Sequence, residues 1–295
     1  MYDICCIGHI TSDKIVTPGS VVHMPGGTAF YFSKAISRLR CHYLLATLLA
    51  EAEMAFAEEL RVDSEVLVLP SRATVCFENI YPENQDHRIQ KVTCQADPFQ
   101  AAQLQAVDAQ VFHLGPLLAG DIPVEMIKDI ALRGKVSLDV QGYLREVRGT
   151  DVHAIDWADK KEALSHIHFL KANESEAEVL TGHSDIYQSA ALLAEWGVKE
   201  VIITLGSMGS LIYHENKFYQ VPAYPPSAVV DATGCGDTYM AGYLYQRLNG
   251  RSCQEAGAFA AAMATIKIQS SGPFTGTKEA VLQLLHKHSF PIAEL

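Results

Sequence analysis

Asp231-Ala232-Thr233-Gly234-Cys235-Gly236-Asp237-Thr238 is the stretch of this 295-residue chain whose residue types and spacing could do chemistry. Two glycines one residue apart let the backbone turn so that successive N–H groups face the same way. Apolar Ala228-Val229-Val230 precedes them and helical periodicity over Gly236–Leu248 follows. Free amides at a helix start, with the helix dipole behind them, make an anion hole that needs no lysine or arginine. Asp237 stands at its edge, where a carboxylate can take the proton of an attacking hydroxyl. An Asp here also has a purely structural use, as an N-terminal helix residue worth about 1 kcal/mol. The stretch is not a P-loop, since no G-x-x-x-x-G-K-[ST] occurs. A dinucleotide fingerprint fails as well: Tyr239 holds the third glycine position, and the stretch lies late in the chain.

The elements that must position this loop read as alternating strands and helices. Strands are predicted at Tyr2–Gly8, Tyr43–Leu49, Glu65–Leu69, Val111–Gly115, Val136–Val140, His166–Leu170 and Val201–Leu205, with a hairpin over Leu211–Tyr213 and Lys217–Val221. Helices are predicted at Thr28–Leu39, Glu51–Leu60, Val124–Leu132, Glu174–Leu180, Ile186–Trp196, Gly236–Leu248, Ser252–Gln269 and Lys278–His288. Near-continuous apolar strands alternating with helices imply an α/β fold: a mostly parallel central sheet with helices on both faces. Lys14–Met24 and Arg72–Cys94 break the pattern. They are β-branched and partly alternating, with turn residues at Pro18-Gly19 and Pro82-Glu83-Asn84. They read as antiparallel strands outside the main sheet, either a small lid or ordinary surface hairpins. The expectation is one domain over 1–295 with lid strands at about 14–24 and 72–94.

Composition bounds the function. At 48% hydrophobic and 19% charged residues, the chain can build a large core. Its formal charge of −11 argues against a nucleic-acid partner and against a polybasic membrane surface. It leaves anionic substrates open, because backbone amides can be locally positive. The first residues carry no signal-peptide pattern, and Tyr43–Ala50, the most apolar stretch, is too short for a membrane span. Seven scattered cysteines without C-x-x-C suggest a reduced, cytoplasmic protein. Twelve histidines form no H-E-x-x-H; His166 and His168 sit in strand-like sequence and His286 and His288 in a polar helix, as solvated or structural groups.

D-A-T-G-C-G-D-T closely resembles the C-terminal signature of the ribokinase-like (PfkB) family of carbohydrate kinases, usually D-T-x-G-A-G-D, matching at Asp231, Gly234, Gly236 and Asp237. Cys235 replaces a small Ala. Other pieces fall in the family's order along nearly the whole chain. Gly8-His9-Ile10-Thr11-Ser12-Asp13 resembles the end of the first strand, which implies Asp13 as a substrate-hydroxyl ligand. Pro25-Gly26-Gly27-Thr28 resembles the N-terminal Gly-Gly signature beside the sugar. Asp139-Val140-Gln141 with Arg145 resembles a D-x-N…R stretch. Lys171-Ala172-Asn173-Glu174-Ser175-Glu176 resembles the N-x-x-E motif, implying Asn173 and Glu176 as organisers of phosphate and Mg²⁺, partly through water. Thr204-Leu205-Gly206-Ser207-Met208-Gly209 resembles the nucleotide-phosphate turn, and Ala260-Ala261-Ala262 with Gln269–Gly276 match the helix and loop beside adenine.

The resemblance implies transfer of the ATP γ-phosphoryl to a hydroxyl of a small sugar or sugar-like substrate. Asp237 would be the base, and the amides of Gly234, Cys235 and Gly236 would stabilise the transferring phosphate. It further implies Mg²⁺, a monovalent cation such as K⁺ near the backbone of Asp231 and Thr233 and the Gln269–Gly276 loop, and a homodimer through the lid. Two positions depart from the ribose pattern. Thr11 stands where an Asn is usual, and Tyr31, within Phe30-Tyr31-Phe32, takes a second Asn position. Both speak against ribose and leave another sugar, a polyol or inositol, or a nucleoside. Two readings from other classes compete: a non-catalytic sugar or nucleotide sensor on the same scaffold, and an NAD-dependent dehydrogenase.

Overall fold

The computed structural model describes residues 1–80 and 89–288. The Pro82-Glu83-Asn84 turn, the 81–88 part of the second lid segment and the end of the chain from 289 lie outside the described residues. The main sheet has nine strands in the spatial order Lys217–Val221, Ser210–His214, Glu200–Thr204, Phe169–Asn173, Lys135–Asp139, Ala109–Gly115, Tyr2–Gly8, Tyr43–Leu49 and Glu65–Pro70. The first two form the expected antiparallel hairpin and the other seven run parallel.

Alternation along Tyr2–Gly8 shows why its buried stretch Ile4–Ile7 is apolar. Ile4 and Cys6 face one layer, while Cys5 and Ile7 face the other. The first layer holds helices Gly27–Ile36, Met54–Arg61, Cys235–Leu248, Cys253–Lys267 and Lys278–Lys287. The second holds Val124–Ala131, Lys160–Leu164, Glu174–Thr181 and Ile186–Glu195. The α/β class and the mostly parallel sheet are therefore as expected.

A smaller six-stranded sheet follows the order Arg145–Arg148, Asp151–Ala154, Ile89–Cys94, Val75–Ile80, Thr11–Thr17 and Ser20–Gly26. Val75, Phe77 and Val92 on its face pack with Leu117 and Leu118, which follow the main-sheet strand Ala109–Gly115. It is not wholly antiparallel. Thr11–Thr17 pairs parallel with Val75–Ile80, because the chain passes through the main sheet between them. The two strands over 145–154 are additions to the sequence reading; they are short and mostly polar, with no apolar run to mark them.

One further expectation is corrected. The strand placed at His166–Leu170 runs instead over Phe169–Asn173. Its interior contains Lys171, and a charged residue at a buried strand position reads as loop. The apolar Ala228-Val229-Val230 forms no regular element, and Val229 and Val230 are exposed.

Candidate active site

The singled-out segments converge at the carboxyl ends of the parallel strands, the place where open α/β sheets hold ligands. Asp139 ends one strand, Asn173 its neighbour and Thr204 the next; Lys171 is in register with Asp139, and Asn173 with Thr204. The helix Cys235–Leu248 starts at the 231–237 loop and packs against Gly27–Ile36.

Gly234 is the N-cap of that helix in left-handed conformation (φ 76°), with no side-chain cap. Only glycine takes this backbone without strain, and a Cβ would lie 2.2 Å from the Tyr31 ring. Tyr31 is buried and backs the turn. The Cys235 N–H donates to the Ala232 carbonyl at 3.2 Å, so one of the three expected amides is committed within the turn. The N–H groups of Gly234 and Gly236 make no backbone hydrogen bond among the described residues. The half-buried Cys235 thiol stands 3.8 Å from the Ala264 carbonyl, and burial pushes its pKa up to about 11, which removes it as a nucleophile.

Asp237 follows in the first helical turn, beside Thr28, whose hydroxyl bonds its carboxylate. Its pKa is pushed up to about 7. Burial is the main cause and the Asp139 carboxylate adds to it, while the Lys171 ammonium and the Thr28 hydroxyl pull the other way. A carboxyl poised there takes a proton near neutral pH far better than one at the usual value of about 4.

Lys171 is the functional group that sequence reasoning passed over. It is 6% exposed, and its Nζ donates to Asp139 Oδ2 at 2.9 Å and stands 4.0 Å from Glu176 Oε2. Burial alone would lower its pKa, but Asp139 and Glu176 outweigh it, so the ammonium stays charged. A Cβ on Gly236 would lie 3.2 Å from Nζ. A buried positive charge thus borders the anion hole. The signal was a lysine two residues before the Asn of N-x-x-E, inside a strand.

Asn173 and Glu176 form a capping box: Asn173 Oδ1 accepts the Glu176 N–H at 2.8 Å, and Glu176 Oε2 accepts the Asn173 N–H at 2.7 Å. The capping box leaves Asn173 Nδ2 and Glu176 Oε1 without a protein hydrogen bond among the described residues. The Thr204–Gly209 turn is closed by Leu205 N–H on the Gly209 carbonyl at 2.8 Å, with Ser207 exposed and both glycines at positive φ. Ala261 is buried in the helix Cys253–Lys267.

On the other side of the cleft, Thr11 Oγ1 donates to Asp13 Oδ1 at 2.6 Å. The Asp13 carboxylate lies so close over Gly26 that a Cβ there would be 2.4 Å from Oδ2. Gly27 has φ 85°, and a Cβ would meet the His9 carbonyl at 2.5 Å. The Gly-Gly pair is therefore required by close approach, and Leu117 borders it. Asp231 Oδ1 accepts the Thr233 N–H at 2.9 Å, and Thr233 itself is exposed. At the opposite end of the strands Glu200, His214 and Cys253 bring three donor atoms within 4.8 Å of one another, but Arg247 and Tyr243 already hold the Glu200 carboxylate.

Residues 1–280 match the model of the pfkB family carbohydrate kinases. The chain is 30% identical over 269 residues to a cytidine kinase of Thermococcus kodakarensis, covering 86% of this chain and 92% of that one. It is 25% identical over 284 residues to inositol 3-kinase of Arabidopsis thaliana, covering 91% and 74%. A solved pyrophosphate-dependent kinase in the ribokinase family, complexed with a pyrophosphate analog and myo-inositol, superposes with a TM-score of 0.86 at 27% identity, covering 95% and 99%.

Proposed function

Because the chain belongs to the pfkB family of carbohydrate kinases, and so is a phosphotransferase acting on a hydroxyl group, we propose that it transfers the γ-phosphoryl of ATP to a hydroxyl of a small sugar-like substrate, with Asp237 as base. The observation that carries this is Asp237, with a pKa of about 7, beside free helix-start amides and a buried lysine.

The acceptor's hydroxyls bind Asp13 and Thr11 over the Gly26–Gly27 backbone, and one hydroxyl gives its proton to Asp237. Charge growing on the transferring phosphoryl is met by the Gly234 and Gly236 amides and by Lys171, which is already charged and oriented before substrate arrives. Asn173 and Glu176, with the Thr204–Gly209 turn carrying Ser207, hold the rest of the donor. The remaining carboxylate oxygen of Glu176 is the hard donor suited to hold hydrated Mg²⁺, which when bound neutralises phosphate charge, and the Asn173 NH2 can donate to a phosphate oxygen. The exposed Val229 and Val230 lie beside the 268–276 loop, through the Val230 N–H on the Ile268 carbonyl at 2.8 Å. They offer an apolar surface to a base, which a bare pyrophosphate donor would leave unused.

A nucleoside acceptor is the second reading. Apolar Leu117 beside Gly27, packed with Phe77 and Leu118, favours it, since a base has a π-face to cover and inositol has none. A non-catalytic sensor has no use for a base held at neutral pKa. We read the chain as one domain in which the smaller sheet closes over the acceptor and excludes water. Its exposed edge strand Ser20–Gly26, with Val21 and Val22 open, supports a homodimer through that sheet. The seven free cysteines fit a cytoplasmic setting, and among the described residues no helix is long and apolar enough to cross a membrane.

The test is a product-release screen of sugars, polyols, inositols and nucleosides with ATP and, separately, with pyrophosphate. Turnover with ATP and at least one acceptor is expected. Turnover with pyrophosphate alone would overturn the donor assignment, and none with any acceptor would restore the sensor.

A further inference from the structure

Beneath the 231–237 loop lies a charge that the chemistry above leaves unused. Lys267, in the last turn of helix Cys253–Lys267, is only 1% exposed. Its Nζ donates to the Asp231 backbone carbonyl at 2.7 Å and stands 3.3 Å from Asp231 Oδ2. The same carboxylate accepts the Thr233 N–H through Oδ1 at 2.9 Å and the Gly272 N–H through Oδ2 at 3.3 Å. The N–H groups of Val230 and Asp231 both reach the Ile268 carbonyl, at 2.8 and 3.2 Å. One ammonium therefore ties the start of the anion-hole loop to the end of the helix behind it.

The resemblance puts a monovalent cation against the backbone of Asp231 and Thr233 and the 269–276 loop. A free cation there would take a carbonyl oxygen and a carboxylate oxygen. In this chain those oxygens on Asp231 already hold an ammonium that the protein cannot release. A second positive charge within hydrogen-bond reach of the buried Lys267 ammonium would meet like-charge repulsion. The residues present do not fit K⁺.

We infer that Lys267 is a tethered monovalent cation, which fixes the Asp231–Thr238 loop from within the helix and makes turnover independent of K⁺. Its ammonium touches no reacting atom, so it is a positioning residue. The inference rests on the reading that the Gly234–Gly236 loop holds the transferring phosphoryl.

The experiment compares wild type with Lys267→Met in tetramethylammonium buffer, with KCl replacing tetramethylammonium chloride at constant ionic strength. Both turnover and the melting temperature are read. Wild type is expected to show the same turnover and melting temperature with and without K⁺. Lys267→Met is expected to lose about tenfold in turnover, the factor that ~1.4 kcal/mol of lost loop positioning gives. Added K⁺ should recover part of that loss and raise the variant's melting temperature. K⁺ activation or stabilisation of wild type would overturn the inference. So would full turnover of Lys267→Met without K⁺, or a variant on which K⁺ acts in neither readout, since a merely structural lysine behaves that way. Should Lys267→Met fail to fold, the wild-type titration decides alone. If no acceptor is turned over at all, the loop's phosphoryl-holding role fails, while the melting readout still reports on the cation.

Discussion

Replacing Asp237 with Asn should stabilise the ligand-free protein above neutral pH while removing its base. In the folded state the Asp237 pKa is about 7, against the ordinary aspartate value of 3.8. Between those values the folded chain holds a proton that the unfolded chain has lost, so wild-type stability falls as pH rises through this window. The gap of roughly three units, at ~1.36 kcal/mol each, sets a ceiling of about 4 kcal/mol above pH 7. The carboxyl is only partly shielded, and solvent screening brings the working expectation to about 2 kcal/mol. Asn matches Asp in shape and can keep the Thr28 contact. Urea unfolding of both proteins, without ligands, near pH 5 and near pH 8 isolates the effect, because all other titrating groups are shared. The advantage of the Asn variant should grow from the lower to the higher pH. An advantage that shrinks, or an Asn variant that loses ground at the higher pH, would refute the reasoning. It would mean that the Lys171 ammonium holds the carboxylate ionised and that burial has not poised it.

Three further outcomes follow from the same geometry. The pH profile of kcat/KM should rise with unit slope and level off near pH 7 as Asp237 deprotonates; a profile already flat from pH 5 would exclude that group as base. Lys171→Met should unfold about 3–5 kcal/mol more easily, because it leaves Asp139 and Glu176 buried without their partner; a loss below 1 kcal/mol in urea titration would show the ammonium to be dispensable. Gly26→Ala puts a methyl into the Asp13 carboxylate and should raise KM for the acceptor while leaving KM for the donor unchanged; equal changes in both would place Asp13 outside the acceptor site.

Much of this site was legible because its chemistry is written in backbone requirements. Gly234, Gly26 and Gly27 each sit where a side chain would collide or where φ is positive, and such positions announce themselves as glycine pairs. The parallel sheet was legible for a similar reason: a strand buried on both faces must be almost wholly apolar, as Tyr43–Leu49 is apart from Thr47. What stayed hidden was polar and buried. Nothing local marks Lys171 or Lys267; only the fold sets each against a carboxylate, 32 and 36 residues away in the chain. The same blindness displaced the Phe169–Asn173 strand. The Arg145–Arg148 and Asp151–Ala154 strands escaped notice because they are short and mostly polar: they pair with each other as a hairpin, and only Asp151 pairs with Lys91 of Ile89–Cys94.

The central claim, that Asp237 removes the acceptor proton, is tested most directly by turnover of Asp237→Asn with the best acceptor from the screen, alongside direct measurement of ATP binding. The account expects kcat to fall by about 10²–10⁴-fold, the share a positioned base supplies, with ATP affinity close to wild type. A variant that keeps near-normal kcat would contradict it.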